Sequence, residues 1–200
     1  MKQLYIYGDS NTYGFDPTDF FEARYPLEVI WTNRVKEALY DEWILHVDGV
    51  NGRTIPDHVR EFERVSAWIG KAERIDLFAI MLGSNDYLNM PRPDEAVVAK
   101  KMHRALERIS GTIAPEKILL IAPPVMRMIG GNGFPGVDTS DGRLSVAYRQ
   151  AAEQLGCQFL DTVPWNVPLA ADGVHLSEDG HKVFAEKMVE YLMRGRFGDE

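Results

Sequence analysis

Two segments, "IDLFAIML" at 75–82 and "KILLIA" at 117–122, are apolar at almost every position. A strand with one face in water alternates apolar and polar residues. A strand covered on both faces reads as a nearly continuous apolar run. Both segments are therefore expected to be central strands of a sheet with helices on either side. Three further runs have strand length: "QLYIYG" near 3–8, "WILHVD" near 43–48 and "CQFLD" at 157–161. Between the runs, apolar residues recur every three to four positions, as on one face of a helix. Val59, Phe62, Val65 and Ile69 do so, as do Val98, Met102, Ala105 and Ile109, and then Leu144, Tyr148, Ala151 and Leu155. Two more helices are expected over 28–41 and 178–194. Asp94 and Ser177 stand at N-cap positions, and Gly111 and Gly156 lie just past helix ends.

Strand then helix, five times over, specifies a parallel sheet with helices on both faces. The expected fold is α/β: a three-layer α/β/α sandwich around a five-stranded parallel sheet. Right-handed crossovers favour the flavodoxin-like order 2-1-3-4-5. The 200 residues suffice to bury a core, no repeat or linker interrupts them, and one domain over 1–200 is the economical reading.

Composition removes several function classes. The single cysteine, Cys157, excludes an intrachain disulfide and a Cys-rich zinc site. It reads as a small core residue at the start of the last strand. A formal net charge of −8 argues against nucleic acid or an anionic membrane as partner. No segment approaches the roughly 18 apolar residues of a membrane span. The apolar stretch near the N-terminus is shorter than the roughly 7–15 residues of a signal-peptide core. A cytoplasmic protein is expected.

In open α/β sheets, ligands bind beyond the carboxyl ends of the strands. Four of the five expected strands are followed by compact polar clusters: "GDSN" from Gly8, "GVNGRT" from Gly49, "GSND" from Gly83 and a loop with "DGVHLS" from Asp172. A serine hydroxyl needs a neighbouring base to act as a nucleophile, and histidine held by a carboxylate is the usual one. Of the five histidines, His46 falls in a strand and His58, His103 and His181 on helices. His175 alone falls in a loop at the ligand edge, with Asp172 three residues upstream. Acyl transfer also needs donors for an oxyanion. The Asn85 amide and the Gly52 and Ser10 N–H groups are the candidates. Each cluster has a second reading. "GDSN" is ordinary turn chemistry, Gly52 can serve a positive φ alone, Asn85-Asp86 can form an Asx turn, and Asp172-Gly173 is a common turn pair.

Together the four blocks resemble the SGNH hydrolases, the GDSL esterase/lipase family. The resemblance spans residues 8 to 175 with the blocks in the family's order. It implies Ser10 as nucleophile, His175 as base and Asp172 as its orienting acid. It implies an oxyanion hole of the Ser10 and Gly52 N–H groups and the Asn85 side chain. Asn11 stands where the family's name has leucine. Asp9 and Asn11 are read as holding the loop. "GDSNTYGFDP", "IWTNRV", "GVNGRT" and "MLGSND" look most like the arylesterase-like acyl esterases and acyltransferases. The implied activity is hydrolysis of esters of small acyl groups (aryl, alkyl or sugar acetates), with no cofactor and no metal. Acyl transfer, thioester hydrolysis and a non-catalytic carbohydrate- or acyl-binding module are the alternatives. Some relatives form oligomers through loops near the site, so a homo-oligomer is a further expectation.

Residues 131–136, "GNGFPG", match a dinucleotide-binding pattern literally, but sit far from any strand-to-helix turn, so the pattern carries no site. The long loop 123–139 invites a role as acyl-pocket wall, oligomer interface or surface flap, through Met126, Met128, Ile129 and Phe134. Tyr13, Phe15, Tyr87 and Trp165 are further candidates to border the site.

Overall fold

The computed structural model describes residues 1–19, 24–130 and 136–194. Successive side chains of a strand point to opposite faces, and this sets the layers. Strand β1 (Lys2–Gly8) sends Leu4 and Ile6 into one core and Tyr5 and Tyr7 into the other. Strand β2 (Trp43–Gly49) lies at its edge. Strands β3 (Leu77–Met81) and β4 (Ile118–Ile121) are buried at every position, as continuous apolar runs require. After β4 the chain forms a small antiparallel hairpin, β5 (Arg127–Met128) with β6 (Val137–Asp138). It returns to the sheet as β7 (Gln158–Leu160). The five-stranded sheet is parallel throughout, in the order β2-β1-β3-β4-β7. Counted over sheet strands alone, this is the expected 2-1-3-4-5.

The helices are α1 (Ser10–Tyr13), α2 (Trp31–Ala38), α3 (Val59–Ile69), α4 (Ser84–Leu88), α5 (Glu95–Ser110), α6 (Arg143–Leu155) and α7 (Glu178–Met193). The α3, α5 and α6 helices cover the tyrosine face of the sheet with Phe62, Val65, Met102, Leu106 and Tyr148 among others. The α2 and α7 helices cover the opposite face with Trp31, Val35, Phe184 and Met188. Each such side chain contributes about 1.5–3 kcal/mol when fully buried. The caps fall where expected. Asp94 accepts from the Ala96 and Val97 N–H groups, Ser177 accepts from Gly180, and Gly156 closes α6.

Three details differ from the sequence reading. Helix α2 is shorter than 28–41, because Ile30 is still extended and Leu39 has left the helical region. Two of the polar clusters are short helices, α1 and α4, which are too brief to leave a periodic signal. Val59 shares the helical spacing of its neighbours but stands exposed in the first turn of α3. His181 is the fourth residue of α7 and is fully buried.

His181 joins the two helices of its layer. Its Nδ1 accepts the Trp31 N–H at 3.3 Å, so the remaining proton sits on Nε2, and the Tyr25 ring lies edge-on to it at 5.3 Å. Burial, aided by the nearby Arg34, pushes its pKa down to about 4. The unfolded chain therefore takes up this proton first, near the ordinary value of about 6.5. The stability gained from the neutral ring is present above that pH and is lost as pH falls towards 4, by up to about 3 kcal/mol. His181→Asn keeps an acceptor for Trp31 but cannot titrate. Urea unfolding from pH 7 to pH 4 should show the wild type losing more stability than this variant, and parallel losses would refute the assignment.

Candidate active site

At the carboxyl end of β1 the chain turns at once into α1. The Asp9 carboxylate accepts the Asn11 N–H at 3.0 Å, and its carbonyl accepts those of Thr12 and Tyr13. Asp9 is thus the N-cap, and Ser10 is the first residue of a single helical turn. The Ser10 Oγ lies 3.0 Å from His175 Nε2, and His175 Nδ1 lies 2.5 Å from Asp172 Oδ2. The other Asp172 oxygen accepts the backbone N–H groups of Val174 and His175 at 2.9 and 3.0 Å. Partial burial would raise the Asp172 pKa, but the bonds from His175 and Val174 outweigh it and bring the group down to about 2. An ionised carboxylate at Nδ1 keeps the ring proton there. That leaves Nε2 to accept from the serine hydroxyl.

The loop carrying His175 is fastened from several sides. The Asn11 side chain donates to the Val174 carbonyl at 3.3 Å and accepts the Leu176 N–H at 2.9 Å. Asn11 is held in turn by the Trp31 indole, which donates to its carbonyl at 3.0 Å. The Ala170 N–H bonds the His175 carbonyl, and Leu169 bridges to Leu176. The Arg127 N–H at the start of the hairpin donates to the Gly173 carbonyl at 2.7 Å. Gly173 has φ +71°, and any Cβ there would collide with the Arg127 carbonyl.

A second turn lies at the end of β2. The Arg53 N–H bonds the Val50 carbonyl at 3.2 Å, with Gly52 at φ +72°, the position where a type II turn calls for glycine. Among the described residues, neither the Ser10 nor the Gly52 N–H has a hydrogen-bond acceptor. The Asn85 amide donates one N–H to the Arg53 carbonyl at 3.0 Å, and a primary amide carries a second. Asp86 is buried beside it. It accepts the Ile55 N–H at 2.8 Å and pairs with Lys101 from α5 at 2.7 Å. The second and third blocks are therefore bonded together. Among the described residues, no group of three or more His, Cys, Asp or Glu side chains is placed to hold a metal ion.

The expected bordering residues separate. Phe15 packs on the His175 ring, with centroids 4.6 Å apart. Tyr13 lies under the Arg24 guanidinium at 4.4 Å. Tyr87 is buried and donates to Glu95, and burial together with that bond raises its pKa to about 12. Met126 is buried in the core beneath the hairpin, and Trp165 packs edge-on to Phe184 at 5.1 Å. Phe134 and residues 131–135 of the "GNGFPG" stretch lie outside the described residues. Sequence reasoning missed Arg53, Lys101 and the reach of Asn11. Arg53 had only its place next to Gly52 as a signal, and Lys101 had none.

Residues 6–183 match the model of the GDSL-like Lipase/Acylhydrolase family. A GDSL lipase of Mycobacterium tuberculosis is 23% identical over 206 residues, covering 96% of this chain and 82% of that one. A solved carbohydrate acetylesterase of Sinorhizobium meliloti superposes with a TM-score of 0.79 at 22% identity. An M. smegmatis aryl esterase does so with 0.78, also at 22%. Each alignment covers 96% of this chain and 98% of the other. At these identities the superpositions speak for a shared fold.

Asp9 has the opposite environment to Asp172. Burial pushes its pKa up to about 6, against the pull of the Asn11 N–H and the nearby His175. The folded state therefore holds this proton more tightly than the unfolded chain. The stabilising effect of the proton is complete below about 3.8 and is lost as pH rises through 6, a penalty on the order of 3 kcal/mol at neutral pH. Asp9→Asn retains a capping side chain without the charge. Relative to wild type it should gain more stability at pH 8 than at pH 4, by about that amount. A pH-independent difference in unfolding free energy would rule this out.

Proposed function

Because the chain belongs to the GDSL-like lipase/acylhydrolase family, we propose that it hydrolyses carboxylic esters of small acyl groups through an acyl-enzyme on Ser10. The observation that carries this reading is the run of contacts from Asp172 through His175 to Ser10 Oγ, between residues 165 positions apart in sequence. Its sense follows from the charges. The Asp172 carboxylate is ionised at any working pH, so His175 is oriented with Nε2 as the base.

Ser10 Oγ attacks the ester carbonyl while its proton passes to His175 Nε2. The resulting imidazolium faces Asp172, which stays ionised and stabilises it. The carbonyl oxygen becomes an oxyanion, bound by the Ser10 and Gly52 N–H groups and the second N–H of Asn85. When the intermediate collapses, the carbon–oxygen bond to the alcohol breaks and His175 gives the alcohol its proton. Water then repeats the sequence. It loses a proton to His175, adds to the acyl carbon, and the acid leaves as Ser10 recovers its proton. Aryl, alkyl and sugar acetates are the substrate class, a reading supported by the aryl esterase and carbohydrate acetylesterase that share the fold.

Ser10→Ala should reduce turnover of an activated acetyl ester by about 10⁴-fold or more. A fluorophosphonate should label Ser10 alone. Undiminished turnover, or labelling at Ser84 or Ser177, would move the nucleophile elsewhere. Asn85→Ala should lower kcat about 10²- to 10³-fold with little change in KM. A change confined to KM would make Asn85 a binding residue instead.

A further inference from the structure

We propose that Arg53 is a positioning residue that sets the geometry of the oxyanion site, an inference that rests on the roles of Ser10, Gly52 and Asn85 given above. Three separate segments carry the three donors, and Arg53 is bonded to all of them. Its N–H closes the turn that holds Gly52, by bonding the Val50 carbonyl. Its carbonyl accepts from the Asn85 amide at 3.0 Å. Its guanidinium reaches back to the carboxyl end of β1, where Nη1 donates to the Gly8 carbonyl at 3.0 Å, two residues before Ser10.

The same guanidinium is anchored to β2. Nη1 also donates to the Asp48 carbonyl, and Nη2 pairs with the Asp48 carboxylate at 2.7 Å. Its face lies 4.0 Å over the Tyr7 ring. The side chain is only 14% exposed, and these bonds fix it between the two strand ends. Arg53 therefore acts through the donors and does not itself meet the substrate. Its carbonyl has a specific effect on Asn85. Holding one amide hydrogen fixes the amide plane and so aims the other.

Oxyanion donors help only when they are already placed where the charge will form, within a few tenths of an ångström. A turn tied to β1 and β2 by a rigid fork meets that demand. Lysine can offer a charge at one point but cannot bridge the Gly8 carbonyl and both Asp48 acceptors in a plane. Loosening this fork should weaken transition-state binding and leave substrate binding nearly intact.

The test compares Arg53→Ala and Arg53→Lys with wild type on an activated short-chain ester. Rates are normalised to folded enzyme by fluorophosphonate titration of Ser10. The expected kcat losses are about 100-fold for Arg53→Ala and about 10-fold for Arg53→Lys, with KM changed less than about threefold. Inhibition by an alkyl boronic acid, whose serine adduct is tetrahedral, should weaken in parallel with kcat/KM. Dilute guanidinium should restore part of the Arg53→Ala rate. If Arg53→Ala does not fold, Arg53→Lys carries the same comparison. Normalised kcat and boronate affinity within about twofold of wild type, alongside an inactive Ser10→Ala, would overturn the proposal and leave the nucleophile standing. Turnover surviving in Ser10→Ala would instead overturn the function on which it rests.

Discussion

Two hydrogen bonds from one side-chain amide join the first turn of this protein to its last loop. Asn11 donates to Val174 and accepts from Leu176, the residues on either side of His175. Asn11 follows Ser10, so the amide sets the distance between hydroxyl and imidazole. The rest of the site depends on this closure. The Asp172 carboxylate can orient His175 only within its own loop. It is Asn11, itself held by Trp31, that brings the loop to the serine. The helical turn of α1 matters for the same reason, since it points Ser10 and Asn11 in fixed directions from the end of β1.

The environments around the site push its two carboxylates apart. Asp172 is partly exposed but receives three hydrogen bonds, and these outweigh its burial. Asp9 is fully buried with fewer donors, so burial prevails. The outcome follows from counting donors against lost water. One carboxylate is held charged and oriented. The other carries a stability penalty while capping the turn that presents Ser10. Together with His181, whose burial acts in the opposite sense on acidification, these groups make the pH dependence of stability a property of a few named residues.

The layers were legible because burial on both faces imposes continuous apolar runs, as in "IDLFAIML" and "KILLIA". Helix ends were legible because caps are local, as Asp94 and Ser177 show. Ser10 could be singled out because it falls just beyond a strand, and Asp172 and His175 because they share the long loop between the last strand and the last helix, at the edge where a parallel sheet gathers its loops. Bordering residues were much less legible. Phe15 and Trp165 are both aromatic and both close to a motif, yet one packs on His175 and the other on Phe184. Their neighbours come from distant elements, and nothing in their own flanking sequence records the difference. Met126 likewise shares a loop with candidate pocket residues but belongs to the core.

The sequence by itself determined the alternation of strands and helices, the order of the four polar blocks and the kinds of chemistry those blocks contain. These properties are local, written in periodicity, caps and turn residues. Only the tertiary structure decided which polar groups meet. It brought Asn11 to the His175 loop, Asp86 to Lys101 and Ile55, and Arg53 to Gly8 and Asn85. Each of those bonds is a few ångströms long across a large gap in sequence. Their partners are chosen by the crossing of packed elements, and no pattern within either segment encodes that choice.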